Sequence, residues 1–168
     1  MRHRNATCDP VALEGVLAAL ADWQPQAGRL QSAAGKNGSV ILDDSYNANP
    51  VSMQAAIDTL VALNGDKVVV LGDMAELGEA SVEAHGAIDL HALALHEHDR
   101  AYLIGTAMQA LAAEYPQACW FATPEAAIEA LADESFGSDD TILIKASRSM
   151  GLDRIVQLLS LPEVKHAV

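Results

Sequence analysis

The stretch Asp43-Asp44-Ser45-Tyr46-Asn47-Ala48-Asn49-Pro50 crowds carboxylates, a hydroxyl, a phenol and two amides in front of a proline. A helix start uses one such side chain as a cap, and Ser or Asn followed by Pro suits that role. One cap does not occupy the whole set. The remainder could hold a ligand, with Asp44 accepting from a ribose hydroxyl and Asn47 and Asn49 donating to or accepting from a peptide-like group. A helix N-terminus behind them would favour anionic groups.

Two further stretches carry comparable chemistry. In VVVLGDMAELGE (68–79), Asp73 can either cap the following helix or touch substrate, and His85 follows close enough to line the same cleft. In ILIKASRSMGLDRI (142–155), Lys145, Ser147, Arg148 and Ser149 occupy one turn. Arginine grips a carboxylate or phosphate through two parallel hydrogen bonds, and serine hydroxyls complete such a grip. Each charge-assisted contact of this kind contributes about 1.5–3 kcal/mol. The competing reading is a solvated basic turn capped by Ser149. His91, His96 and His98 lie near one another but have no acidic or cysteine partner at ligand spacing, so they read as surface residues and no metal site is assigned.

The elements that position these residues follow from hydrophobic patterning. Strand-like runs fall at 39–44, 67–72, 100–105, 118–122 and 141–146. Helical stretches fall at 50–63, 80–97, 106–115, 124–133 and 151–160. Near-continuous apolar strands alternating with amphipathic helices predict a doubly wound α/β domain with a mostly parallel sheet. AGKNG between RLQSA and SVILDD predicts a β-hairpin ahead of it. Asp9-Pro10 starts a short N-terminal helix with Val11, Val16, Leu17, Leu20 and Trp23 on one face. Every polar motif lies at the carboxyl end of a strand, the edge at which open α/β sheets bind ligands.

Composition narrows the function. A chain of 168 residues with 51% hydrophobic and 20% charged residues is globular and of single-domain size. Ten basic against 23 acidic residues, a net charge of −13, argues against nucleic acid or an anionic membrane as partner. No apolar run approaches the roughly 18–20 residues that span a bilayer. MRHRNATCDP lacks the apolar segment of a signal peptide. Cys8 and Cys119 match no metal or redox spacing, which suits a reducing cytoplasm. Neither Gly-x-Gly-x-x-Gly nor Gly-x-x-x-x-Gly-Lys-Ser/Thr occurs, so the chain is not expected to hold a triphosphate alone. Residues 1–8 read as neither strand nor helix, and the chain is expected to begin partway through a longer protein.

GRL (28–30), DDSYNANPVSM (43–53), VLGDMAELGE (70–79) and KASRSMGLDRIV (145–156) occur in this order. Together they resemble the C-terminal domain of the Mur ligases, in the branch that joins D-alanyl-D-alanine to UDP-N-acetylmuramoyl-tripeptide. The resemblance covers about residues 9–160 and implies a three-domain cytoplasmic enzyme of peptidoglycan synthesis; a monomer is expected. ATP and magnesium would be bound mainly by a central domain outside this chain. The tripeptide carboxylate would become an acyl phosphate that the dipeptide amine attacks. The resemblance implies that Arg29 reaches the ATP phosphates and Asp44 the ribose. It places Asn47 and Asn49 in the amino-component pocket, with Lys145, Ser147, Arg148 and Ser149 across the cleft and Asp73 and His85 as further substrate-side residues. Residues 1–27 would be the tail of the central ATPase domain and a linker, and 28–168 the C-terminal domain. No catalytic residue is assigned within the chain, which is expected to be inactive alone, with no nucleic acid partner and no membrane insertion. Two alternatives remain: the corresponding domain of a folylpolyglutamate synthase-type ligase, or a standalone α/β module that binds a small ligand.

Overall fold

Val68, Val69, Val70 and Leu71 in one strand, and Ile142, Leu143 and Ile144 in another, are all 0% exposed. Successive strand side chains point to opposite faces, so such runs stay dry only when layers cover both sides of the sheet. The computed structural model describes residues 28–93 and 98–161. The helix expected from Asp9-Pro10, the reading of residues 1–8, and His96 lie outside them.

Six strands form one sheet: β1 (Gln31–Ala34), β2 (Val40–Asp44), β3 (Asp66–Gly72), β4 (Arg100–Ile104), β5 (Cys119–Phe121) and β6 (Asp140–Lys145). Their order is β1-β2-β6-β3-β4-β5. β1 runs antiparallel to β2, and every other pair is parallel. The helices are α1 (Pro50–Val61), α2 (Ser81–Gly86), α3 (Gln109–Glu114), α4 (Pro124–Ala132) and α5 (Asp153–Leu159). Val69, Leu71, Leu103 and Leu143 pack with Met53, Ile57 and Leu60 of α1 and Leu111 of α3. The alternate residues Val68, Val70, Ile104, Ile142 and Ile144 pack with Leu131 of α4 and Ile155 of α5. The doubly wound α/β architecture is therefore present, with the hairpin strand at one edge.

Local chemistry starts and stops these elements. The β1–β2 hairpin turns at Asn37 and Gly38, whose φ values of 55° and 87° are left-handed, and the Ser39 hydroxyl donates to the Lys36 carbonyl at 2.8 Å. Thr123 caps α4 by accepting from the Ala126 amide, and Pro124 opens the first turn. The helix expected over 80–97 ends instead at Gly86. Side chains take the amides that a continuing helix would use. Asp89 Oδ1 accepts from the His91 amide at 2.8 Å, and the Tyr115 hydroxyl accepts from the Leu90 amide at 2.9 Å. Gln54 grips the Asp89 backbone from both sides, accepting from its N–H and donating to its carbonyl. The His91 amide, with help from the Tyr115 hydroxyl, holds the Asp89 carboxyl below the usual carboxylate range. A carboxyl so lowered stabilises this turn above its unfolded-state pKa, and the effect fades as pH falls through the folded value.

Because β2, β3, β4 and β6 are parallel, their carboxyl ends share one edge. That edge carries Asp43–Asp44, Asp73, Gly105 and Lys145–Arg148. Leu143 lies on the middle strand between β2 and β3, so Leu143→Ala should lower stability by about 2–5 kcal/mol in urea unfolding. A loss below about 1 kcal/mol would contradict its place in a close-packed layer.

Candidate functional site

Lys145 ends β6 with its side chain 3% exposed. Its ammonium donates to Asp44 Oδ2 at 2.6 Å and to the Asn47 carbonyl at 2.8 Å. The parallel register that sets Asp44 beside Lys145 makes this contact possible. The other Asp44 oxygen accepts from the Leu30 amide at 3.0 Å. Asp43 turns to its own loop, accepting from the Ser45 hydroxyl at 2.6 Å and the Ser45 amide at 3.1 Å.

Asn49 is the cap of α1. It accepts from the Ser52 amide at 2.9 Å, while the Ser52 hydroxyl accepts from the Asn49 amide at 3.1 Å. This reciprocal arrangement satisfies two N–H groups that the helix end would leave open. Asn47 Oδ1 accepts from the Ala48 amide at 2.9 Å. Both asparagines are exposed, and among the described residues neither side-chain NH2 group donates a hydrogen bond.

Tyr46 is absent from the residues singled out by sequence, yet it sits at the centre of this edge. Its amide donates to the Gly28 carbonyl at 2.9 Å. The Arg29 guanidinium carbon lies 4.8 Å from its ring centroid and that of Arg148 lies 5.1 Å from it. Gly28 has φ of +76°, and a Cβ there would come within 3.0 Å of the Tyr46 nitrogen. Gly28, Asp43, Ser45, Tyr46, Arg148 and Asp153 line a cleft of about 350 Å³. The available signal was an aromatic residue inside a polar strand-end loop, where core packing gives it no reason to be.

Asp73, His85 and Ser147 join the loops to one another. Asp73 accepts from the amides of Met108 at 2.9 Å and Ala107 at 3.3 Å, capping the turn that leads into α3. Its own backbone donates to Ile104 and accepts from Ser147, both at 3.1 Å. Gly105, at φ +115°, passes so close that a Cβ would lie 2.3 Å from the Asp73 carboxyl carbon. Ser147 Oγ accepts from the Ala75 amide at 2.7 Å. His85 is expected from sequence to line the cleft, but the structure buries its ring completely. Nε2 accepts from the Met74 amide at 2.8 Å and Nδ1 meets the Ser81 carbonyl at 2.6 Å, which places the ring proton on Nδ1. Both nitrogens are used in holding the loop after β3.

Arg29, Arg148 and Ser149 are exposed. His91 is also exposed and packs at a tilt against Tyr115, 5.2 Å between ring centroids, away from this edge. Among the described residues no group of three or more His, Cys, Asp or Glu is placed to hold a metal ion. Among the described residues, the groups without a hydrogen-bond partner at this edge include two guanidinium forks, two amide NH2 groups and the Ser149 hydroxyl, with the Asp153 carboxylate also lining the cleft. Such a set binds and orients an anionic or peptide-like ligand.

The Lys145–Asp44 pair is open to a thermodynamic cycle. Lys145→Met should cost about 2–4 kcal/mol, since it strands a carboxylate that is mostly buried, whereas Asp44→Asn/Lys145→Met should recover much of that loss. Strictly additive effects in denaturant unfolding would contradict the pairing.

Comparison with known proteins agrees with the fold and with the family resemblance. Residues 28–148 match the family described as "Mur ligase, glutamate ligase domain". A UDP-N-acetylmuramoyl-tripeptide–D-alanyl-D-alanine ligase of Escherichia coli (strain K12) is 35% identical over 151 residues, covering 88% of this chain and 32% of that protein. A crystal structure of MurF from Acinetobacter baumannii superposes with a TM-score of 0.72 at 30% identity, covering 86% of this chain and 32% of that one. MurF ligase from Thermotoga maritima, solved in complex with ADP, gives 0.68 at 27% identity, covering 88% and 35%. The chain spans about a third of the length of the relatives it matches. The chain belongs to the Mur ligase family and carries its C-terminal, glutamate ligase domain.

Proposed function

We propose that this chain is the part of an ATP-dependent amide-forming ligase that presents D-alanyl-D-alanine to UDP-N-acetylmuramoyl-tripeptide in cytoplasmic peptidoglycan synthesis. The observation that carries this reading is the two-sided edge. Lys145 ties the loop carrying Asn47 and Asn49 to the turn carrying Arg148 and Ser149. Exposed donors on both segments are thereby held at one edge, with Arg148 lining the cleft itself. A dipeptide ends in a carboxylate and contains an amide carbonyl, and both accept hydrogen bonds.

A carboxylate and an amine do not condense unaided in water, and ATP supplies the activation by converting the tripeptide carboxylate to an acyl phosphate. The residues present fit a nucleotide in part. Among the described residues Arg29 donates no hydrogen bond, so its guanidinium can meet phosphate oxygens. Asp44, with one partner on each oxygen, retains lone pairs for a ribose hydroxyl. Magnesium is assigned to the central domain, in keeping with the acyl-activating role given to it. Residues 1–27 form the tail of that domain and the linker, and 28–168 the C-terminal domain. Asn47, Asn49, Arg148 and Ser149 orient the incoming dipeptide, while Asp73, His85 and Ser147 fix the loops that carry the contacts. Positioning of this kind acts on rate by placing the amine where it can attack.

Amide-detected NMR titration of the chain with D-alanyl-D-alanine should shift residues 45–50 and 145–149 together, with L-alanyl-L-alanine as control. A response confined to one loop would overturn the two-sided pocket. The chain alone should release no phosphate from ATP in a coupled assay, and dipeptide-dependent turnover would refute the division of labour between domains.

A further inference from the structure

The described arginines fall into two classes. Arg100 pairs with Asp140 at 2.6 Å and Arg154 with Glu125 at 2.7 Å. Arg29 and Arg148, among the described residues, donate no hydrogen bond and pair with no carboxylate; each instead lies over the ring of Tyr46. In a chain with 23 acidic residues against 10 basic ones, carboxylate partners are plentiful. Two cations that lack them, held on one ring at the ligand edge, call for another explanation.

We infer that Tyr46 is a positioning residue whose ring pre-orients the Arg29 and Arg148 guanidinium groups as a single anion clamp beside the cleft that Tyr46 and Arg148 line. A guanidinium attracted to an aromatic face keeps its N–H edge available, because the stack does not use those donors. Two like charges near one ring also repel each other, and a bound anion offsets that repulsion. The ring itself is well mounted. The Tyr46 amide is bonded to Gly28, Ser45 before it is locked by Asp43, and the Asn47 carbonyl after it is held by Lys145. A clamp built on such a segment loses little freedom when ligand arrives.

The ligand is an anion with at least two oxygens at one end, either a carboxylate or a phosphate chain. Asp153 lines the same cleft and disfavours a bulky polyanion. Which anion is the natural occupant rests on the ligase reading above; the clamp rests on geometry alone.

The test uses the whole chain and its Tyr46→Phe and Tyr46→Leu variants. In the parent, the Nε–Hε resonances of Arg29 and Arg148 should show ring-current displacement, which Phe keeps and Leu abolishes. The parent and Phe readings stand even if the Leu variant fails to fold, and the Leu reading is taken only at unchanged melting temperature. Titrations then use tripolyphosphate, D-alanyl-D-alanine and D-alanyl-D-alaninamide, which lacks the carboxylate. Saturable binding of one of the two anions should be retained within about twofold by Phe and weakened about fivefold by Leu at unchanged melting temperature, the scale of an exposed cation–π contact. Undisplaced arginine resonances, equal affinity in the Leu variant, or no saturable response to either anion would overturn the clamp. Tripolyphosphate binding that depends on the ring, with no response of either loop to dipeptide, would keep the clamp and remove the dipeptide reading. Dipeptide binding indifferent to Tyr46→Leu would do the reverse.

Discussion

An ammonium group taken out of water must find compensation where it lands, since an unpaired buried cation costs several kcal/mol. Lys145 meets that demand with Asp44 and the Asn47 carbonyl, residues 101 and 98 positions earlier in the chain. The contact depends on β6 inserting beside β2 in a register that aligns their last residues. Once made, it decides the shape of the ligand edge. The loop after β2 cannot swing away without exposing the ammonium, and the turn after β6 cannot retreat without stranding the carboxylate. Two motifs distant in sequence thereby become one structural unit.

The loop after β3 is held by a second set of constraints built on Asp73. Its carboxylate caps the turn before α3, its carbonyl receives Ser147, and its contact with Gly105 is so close that only glycine fits. His85 and Ser147 then fasten Met74 and Ala75. Most polar residues at this edge are thus committed to bracing backbone. The remaining exposed groups sit on a frame that is already ordered, and a ligand that binds them need not supply the ordering free energy.

Burial made the sheet legible and polarity made it ambiguous. Runs such as Val68–Leu71 and Ile142–Ile144 have few readings other than strands covered on both faces, and AGKNG could hardly be anything but a turn. Strand order was not legible, because insertion of β6 between β2 and β3 is a choice among long-range pairings that local pattern does not encode. The helix read over 80–97 ran too long because its apolar spacing continued past Gly86, while the groups that stop it, Gln54 and Tyr115, come from other elements. At the site the same division holds. Asp44, Lys145 and Arg148 were visible as charges at strand ends. That His85 is buried, and that Tyr46 gathers two arginines, are facts of tertiary approach. A histidine or a tyrosine looks the same in sequence whether it lies in a core or over a cleft.

The chemistry of the free groups also limits what this domain can contribute. Guanidinium forks, amides and a serine hydroxyl stabilise negative charge and orient carbonyls, but they do not activate a carboxylate toward an amine. Under the ligase reading the activating step belongs to another domain, and this one contributes by reducing the freedom of the attacking dipeptide. That contribution depends on distance, because effective molarity falls steeply once reacting atoms leave near-attack geometry. Rigid loops are then as much a requirement of the reaction as the donors they carry. The bracing by Lys145, Asp73 and His85 also explains why a strand-end edge so rich in polar residues leaves so few of them free for ligand.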